Sequence, residues 1–241
     1  MAGNGIACPN TPPEGSAMTT RVLTFYGTSV GKKVVMAVTG FLVFGYIAVH
    51  MLGNLQIFLG PAKINGYAAF LKSNPTFLWA FRGGLLLAAV LHVIAAAQLT
   101  VQSWAARPQR YAVQKYRETT YAARTMRWGG PIIALFVLYH VLHLTTGRFH
   151  QTAPHFDAHD VYNNVVLGFQ VPWVSAVYIV AVSLVALHLY HGVWSMLQTV
   201  GAAHPRYNRW RKVAAVIFAE LVWAGMVAVP FAVLLGMVKP V

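Results

Sequence analysis

The chain has 241 residues, of which 57% are apolar and 10% charged, with a mean hydropathy of +0.55. That is too little charge to coat one or two soluble cores of this size, so lipid is the expected solvent. Eighteen Lys and Arg against five Asp and Glu give a formal charge of +13. The basic residues stand between long apolar runs, where orientation in a membrane accounts for them better than nucleic-acid binding does. The single cysteine, Cys8, excludes an internal disulfide and a four-thiolate iron–sulfur cluster.

Residues 1–30 carry Pro, Gly and Thr but no continuous apolar core of the kind a cleavable signal peptide needs, so a loosely ordered cytoplasmic tail is expected. Residues 31–241 then form a single transmembrane domain. A spanning helix takes about 20 mostly apolar residues, and five stretches qualify: 34–58, 77–100, 129–145, 171–197 and 213–238. The third is short, with Arg127 and Arg148 bracketing it at headgroup positions. No run alternates like a barrel strand, and a backbone in lipid must satisfy its own hydrogen bonds, so the fold class is all-α integral membrane.

The connections alternate in charge. Arg107, Arg110, Lys115, Arg117, Arg124 and Arg127 lie between the second and third spans, and Arg206, Arg209, Arg211 and Lys212 between the fourth and fifth. Arg21, Lys32 and Lys33 flank the first. The other connections hold Lys63 and Lys72, then Arg148 with Asp157 and Asp160. This imbalance predicts a cytoplasmic N-terminus and an external C-terminus. His150, His155 and His159 with Asp157 and Asp160 lack tight metal spacing and read as a solvated loop. Glu220, the only carboxylate inside a span, is either a proton carrier or a side chain that snorkels to water.

Ionisable side chains inside spans are costly and point to function. Four of the five spans carry histidine: His50, His92, His140 with His143, and His188 with His191. Counted from one side of the membrane, His50 and His140 lie roughly ten and eight residues deep, and His92 and His188 roughly fifteen and sixteen. At 1.5 Å per residue this makes two pairs about 10 Å apart, the first span matched with the third and the second with the fourth. Such a four-helix bundle suits two stacked haems, each held from both faces by neutral imidazole; full axial ligation favours electron transfer over oxygen binding. Gly40, Gly45 and Gly53, with Ala95 to Ala97, suit either a macrocycle or close helix packing.

Four successive segments carry a family resemblance: SVGKKVVMAVTGFLVFGYIAVHMLGNLQIF from Ser29, LHVIAAAQLT from Leu91, RTMRWGGPIIALFVLYHVLHLTTG from Arg124 and ALHLYHGVWSMLQTVG from Ala186. Over residues 22–235 the chain resembles the five-helix, di-haem cytochrome b anchor of succinate:quinone oxidoreductases, that is, of bacterial succinate dehydrogenases and fumarate reductases. The resemblance implies haem-iron ligation by His50, His92, His140 and His188, with His143 and His191 as alternative ligands one turn away. His143, His191, Lys33 and Arg127 are candidates for haem propionates, and the two spare histidines fit plain helix packing equally.

The resemblance further implies cytoplasmic flavoprotein and iron–sulfur partners in a bacterial inner membrane, within a complex that itself forms a higher oligomer. Electrons would pass from the iron–sulfur partner to the inner haem, then the outer haem, then a quinone, with menaquinone the expected type. This chain would carry no succinate chemistry and no catalytic residue. Quinone-site candidates fall at two places, Arg21 and Ser29 just before the first span, near the iron–sulfur partner, and Asn54, Gln56 and Arg82 toward the outer side, near the second haem; each also reads as a helix-end or headgroup residue. Other quinone-linked di-haem anchors, such as those of formate dehydrogenases or nitrate reductases, fit the motif order less well. A non-redox transporter would need midplane carboxylates beyond Glu220.

Overall fold

The computed structural model describes residues 25–107, 109, 119–150 and 156–241. The protein is an all-α, multi-pass membrane protein, and among the described residues five helices are long and apolar enough to cross a bilayer. These are α1 (Ser29–Leu55), α3 (Pro75–Ala105), α4 (Tyr121–His140), α6 (Pro172–Thr199) and α7 (Asn208–Leu234). Two shorter helices, α2 (Pro61–Lys72) and α5 (Val161–Phe169), lie in connections that the sequence reads as plain loops.

Local chemistry starts and stops these helices. Thr28, Asn74, Thr120 and Asp160 each accept a hydrogen bond from a first-turn amide of the helix that follows. Pro75 and Pro172 open α3 and α6 where no amide donor is needed. After α1 a 3₁₀ turn (Gln56–Leu59) runs into Gly60 at φ 93°, a left-handed conformation that glycine adopts without strain. The end of α4 widens into one π-helical turn, Val141–Thr145. Leu42, Leu86, Leu135, Val180 and Leu221 stay exposed on the outer surfaces, as side chains facing lipid do.

Packing defines the bundle. α1 lies against α3, α6 and α7, while α6 lies against α4 and α7. By contrast, α1 and α4 hardly approach each other, nor do α3 and α6, nor α3 and α4. The first two pairs are the diagonals of a four-helix square formed by α1, α3, α4 and α6, whose α3–α4 edge stands open apart from the Arg127–Ser103 hydrogen bond. α7 braces its α1–α6 edge. There Gly225 lets Met51 come close, and Phe44 meets Phe218 edge-on at 4.5 Å.

The tightest core sits at one end, where α2 and α5 cap the bundle. Ile57, Ile64, Val166, Phe169, Val174 and Val229 are all buried there. A smaller core of Leu189, Ala219 and Val222 holds α6 to α7. Between the diagonals the side chains are only half-buried, including residues 43–48 of α1 and 182–188 of α6.

The five crossings divide the connections between two faces. The described cations Lys32, Lys33, Arg107, Arg124, Arg127, Arg206, Arg209, Arg211 and Lys212 belong to one, here the basic face. The opposite face holds α2, α5 and the C-terminus.

Candidate functional site

Each diagonal carries one histidine pair. His50 of α1 and His140 of α4 have ring centroids 5.7 Å apart. His92 of α3 and His188 of α6 have theirs 6.1 Å apart. The helices of each pair scarcely touch, so the side chains themselves span the gap. His92 and His188 lie 13 and 11 residues from the basic-face ends of their helices. His50 and His140 lie 21 and 19 residues from theirs. The second pair is therefore about 12 Å farther from the basic face.

The hydrogen bonding that orients a ring is clearest at His92. Its Nδ1 lies 3.0 Å from the Met36 carbonyl, which can only accept, so Nδ1 carries the proton and Nε2 presents its lone pair. The Thr39 hydroxyl, itself bonded back to Val35, stands 3.4 Å from the same nitrogen. Gly40 makes this possible, because a Cβ there would sit 3.1 Å from the His92 ring. On the facing helix, His188 Nδ1 is buried with no hydrogen-bond partner. No atom lies within 4 Å of where a Cβ on Gly45 would point.

At the other diagonal, Tyr46 stacks on His50 at 5.3 Å, and the Asn54 amide donates to the His50 carbonyl at 2.7 Å. Phe136 and Tyr178 bracket His140 at 6.0 and 5.8 Å. An apolar groove of about 490 Å³ runs alongside between α4 and α6, lined by Ile132, Leu135, Phe136, Tyr139, Val177 and Val180.

Among the described residues, no three of His, Cys, Asp and Glu converge as a metal site. Two imidazoles are too few for a bare zinc-like ion, which takes four protein ligands or three and a water. They do suffice for the two axial positions of an iron whose other ligands belong to a macrocycle. The proton-bearing Nδ1 of His92, the unpartnered Nδ1 of His188, Gly40 and the open side of Gly45 all fit such a group.

The other candidates scatter. His143 is fully buried in the π-turn, its Nδ1 2.9 Å from the Tyr178 hydroxyl, and it stacks on Tyr139 and His150. That places it beside the end core, against Tyr178, whose ring also meets His140. His191 Nδ1 is buried without a partner one turn from His188. Lys33 is exposed, and Arg127 bonds Ser103 and lies over Trp104, tying α4 to the end of α3. Ser29 is exposed on the basic face, whereas Asn54 and Arg82 belong to the other half of the bundle, with Arg82 over Trp79. Ser29 thus stands apart from Asn54 and Arg82, and Arg21 lies outside the described residues.

The loop expected to be solvated is largely structural. His150 is buried, its Nε2 bonded to the Asn164 carbonyl at 2.8 Å, because α5 folds over it. Asp160 caps α5 and also accepts from Asn65 of α2 at 3.1 Å. Only His159 and Asp157 remain exposed, and His155 lies outside the described residues. Glu220 is exposed on the outer side of α7 and takes no part in the histidine pairs. Sequence reading missed the aromatic shell of Tyr46, Phe136 and Tyr178. Tyr178 lies ten residues before His188, and its helical position alone gives no sign that it faces His140.

No protein-family model, curated protein or solved structure matches the chain. The site is read from its own chemistry.

Proposed function

We propose that the chain is the membrane-anchor subunit of a succinate:quinone oxidoreductase, passing electrons from an iron–sulfur partner through two b haems to a membrane quinone. The observation that carries this reading is the pairing of His50 with His140 and of His92 with His188 across the two diagonals of one bundle, at two depths. Chance hydrogen-bonding histidines have no reason to meet in two couples, one across each diagonal of the bundle, between helices that do not touch.

Haem, when bound, supplies reversible one-electron chemistry, and two imidazoles leave no position open for oxygen. The residues of this chain hold, orient and shield. The Met36 carbonyl fixes the His92 tautomer. Tyr46, Phe136 and Tyr178 keep water from His50 and His140. The groove beside Phe136 and Tyr139 offers an apolar seat for a quinone's hydrocarbon tail close to the second pair. The excess of Lys and Arg on the basic face supports a bacterial inner membrane with that face in the cytoplasm, where the flavoprotein and iron–sulfur partners would dock. The site's chemistry is the same for fumarate reduction run in reverse.

The complex purified through a tag on this chain should contain both partners and reduce a quinone with succinate. Replacing His92 with Ala should leave succinate oxidation by an artificial dye largely intact while lowering quinone reduction at least 100-fold. Quinone reduction driven by formate or nitrate partners, and none with succinate, would refute the assignment.

A further inference from the structure

Arg211, in the first turn of α7, is 7% exposed, and only its Nη2 is used, donating to Asn208 Oδ1 at 2.6 Å. Its Nε and Nη1 are buried with no hydrogen-bond partner. A guanidinium does not shed its proton at any physiological pH, so burial cannot neutralise it as it would a lysine. An enclosed, uncompensated charge is among the least tolerable groups in a fold.

Among the described residues, no carboxylate answers the need. Asp157 and Asp160 are on the opposite face, and Glu220 points outward nine residues farther along α7. The surroundings demand an anion in three further ways. Lys212 stands beside Arg211 with its ammonium 4.7 Å over the Trp194 ring. The Trp194 indole N–H is itself buried without a partner. Tyr207, which precedes the 27-residue helix α7, offers no side-chain cap, leaving the positive end of the helix open at the same place.

Depth names the source. Arg211 lies in the first turn of a span, next to Trp210 and Tyr207, both exposed as anchors at the membrane–water boundary are. Phosphodiester headgroups occupy that layer, and basic pockets between transmembrane helices hold them. We infer that the junction of α6 and α7 binds the phosphate of an anionic phospholipid, with Arg211, Lys212 and the Trp194 indole as its donors. The inference stands apart from the histidine pairs and holds whether or not they carry haem.

The test uses the full chain, with whatever cofactor it retains, in phosphatidylcholine nanodiscs with phosphatidylglycerol titrated in, bound lipid being counted by native mass spectrometry after detergent release. About one phosphatidylglycerol per chain should be retained, and its addition should raise the thermal unfolding midpoint. Arg211→Gln should lose the retained lipid and the shift, whereas Arg206→Gln, at an exposed cation on the same face, should keep both. Should Arg211→Gln fail to fold, Arg211→Lys and Trp194→Phe should fold and weaken retention at least five-fold. Equal retention in the wild type and the Arg211 variants would overturn the inference. So would saturation of the site by inorganic phosphate with no preference for phosphatidylglycerol. A third contrary result is an Arg211 variant with altered visible absorption and unchanged lipid, which would give the guanidinium to a cofactor.

Discussion

At His92 one backbone carbonyl decides which ring nitrogen is available, and one missing methyl group lets the ring stand where it does. Gly40→Val puts a branched side chain where a single Cβ would already lie 3.1 Å from the ring. On the proposed di-haem reading, the expected outcome is loss of the haem assigned to His92 and His188 with the other retained, halving the reduced-minus-oxidised b-type absorption. His143 provides the contrast. It is fully buried and bonded to Tyr178, so His143→Ala should cost about 3 kcal/mol of stability through a cavity and a stranded hydroxyl, and both haems should remain. Thermal unfolding followed by circular dichroism, with a spectrum of the folded fraction, separates these effects.

Asp160 belongs to the same scale but acts on a helix. Burial alone would raise its carboxyl, but hydrogen bonds from the Asn163 backbone, the Asn163 side chain and Asn65 outweigh that and hold it below the ordinary 3.8. A carboxyl depressed in the fold adds stability above its unfolded value, and that stability drains away as pH falls through the lowered one. The protection of α5 amides, taken relative to the unstructured rate at each pH, should therefore fall on acidification below about pH 4. In Asp160→Asn, that protection should be lower at neutral pH and nearly unchanged by acid.

The elements show what a one-dimensional pattern can and cannot carry. Every span is legible, because 20 apolar residues in a row have few other uses. Their ends are less so. α4 begins at Tyr121, eight residues before the apolar stretch, because Thr120 caps it and Arg124 and Arg127 can lie along the headgroup layer. The helices α2 and α5 escape notice because they are short and lie in the connections of the opposite face, where polar Asn65, Asn163 and Asn164 serve as ties. The matching of first span with third and second with fourth follows from depth alone, and the rings do meet that way. What depth cannot show is which side chain an aromatic ring leans on, or that His150 turns inward. Both depend on how the connection folds back.

For the whole molecule, the architecture separates tasks. The capped end, from Ile57 to Val238, supplies the dense packing, and α7 braces one edge. The four-helix square is thereby left free to be loosely filled between its diagonals. Gly225 is the joint of that brace, with a Cβ landing 2.5 Å from Met51 Sδ. Gly225→Leu should force α7 away from α1 and lower the unfolding midpoint of the whole domain, whereas a substitution on the lipid side such as Leu221→Ile should leave it within a degree or two.

The central claim is that two facing imidazoles hold one macrocycle on each diagonal, and its most direct test is a count. Pyridine haemochromogen analysis of the purified chain should give two b haems per polypeptide, one in His50→Ala or His92→Ala, and none in the double variant. Zero haem in the wild type, or two retained in both single variants, would contradict it.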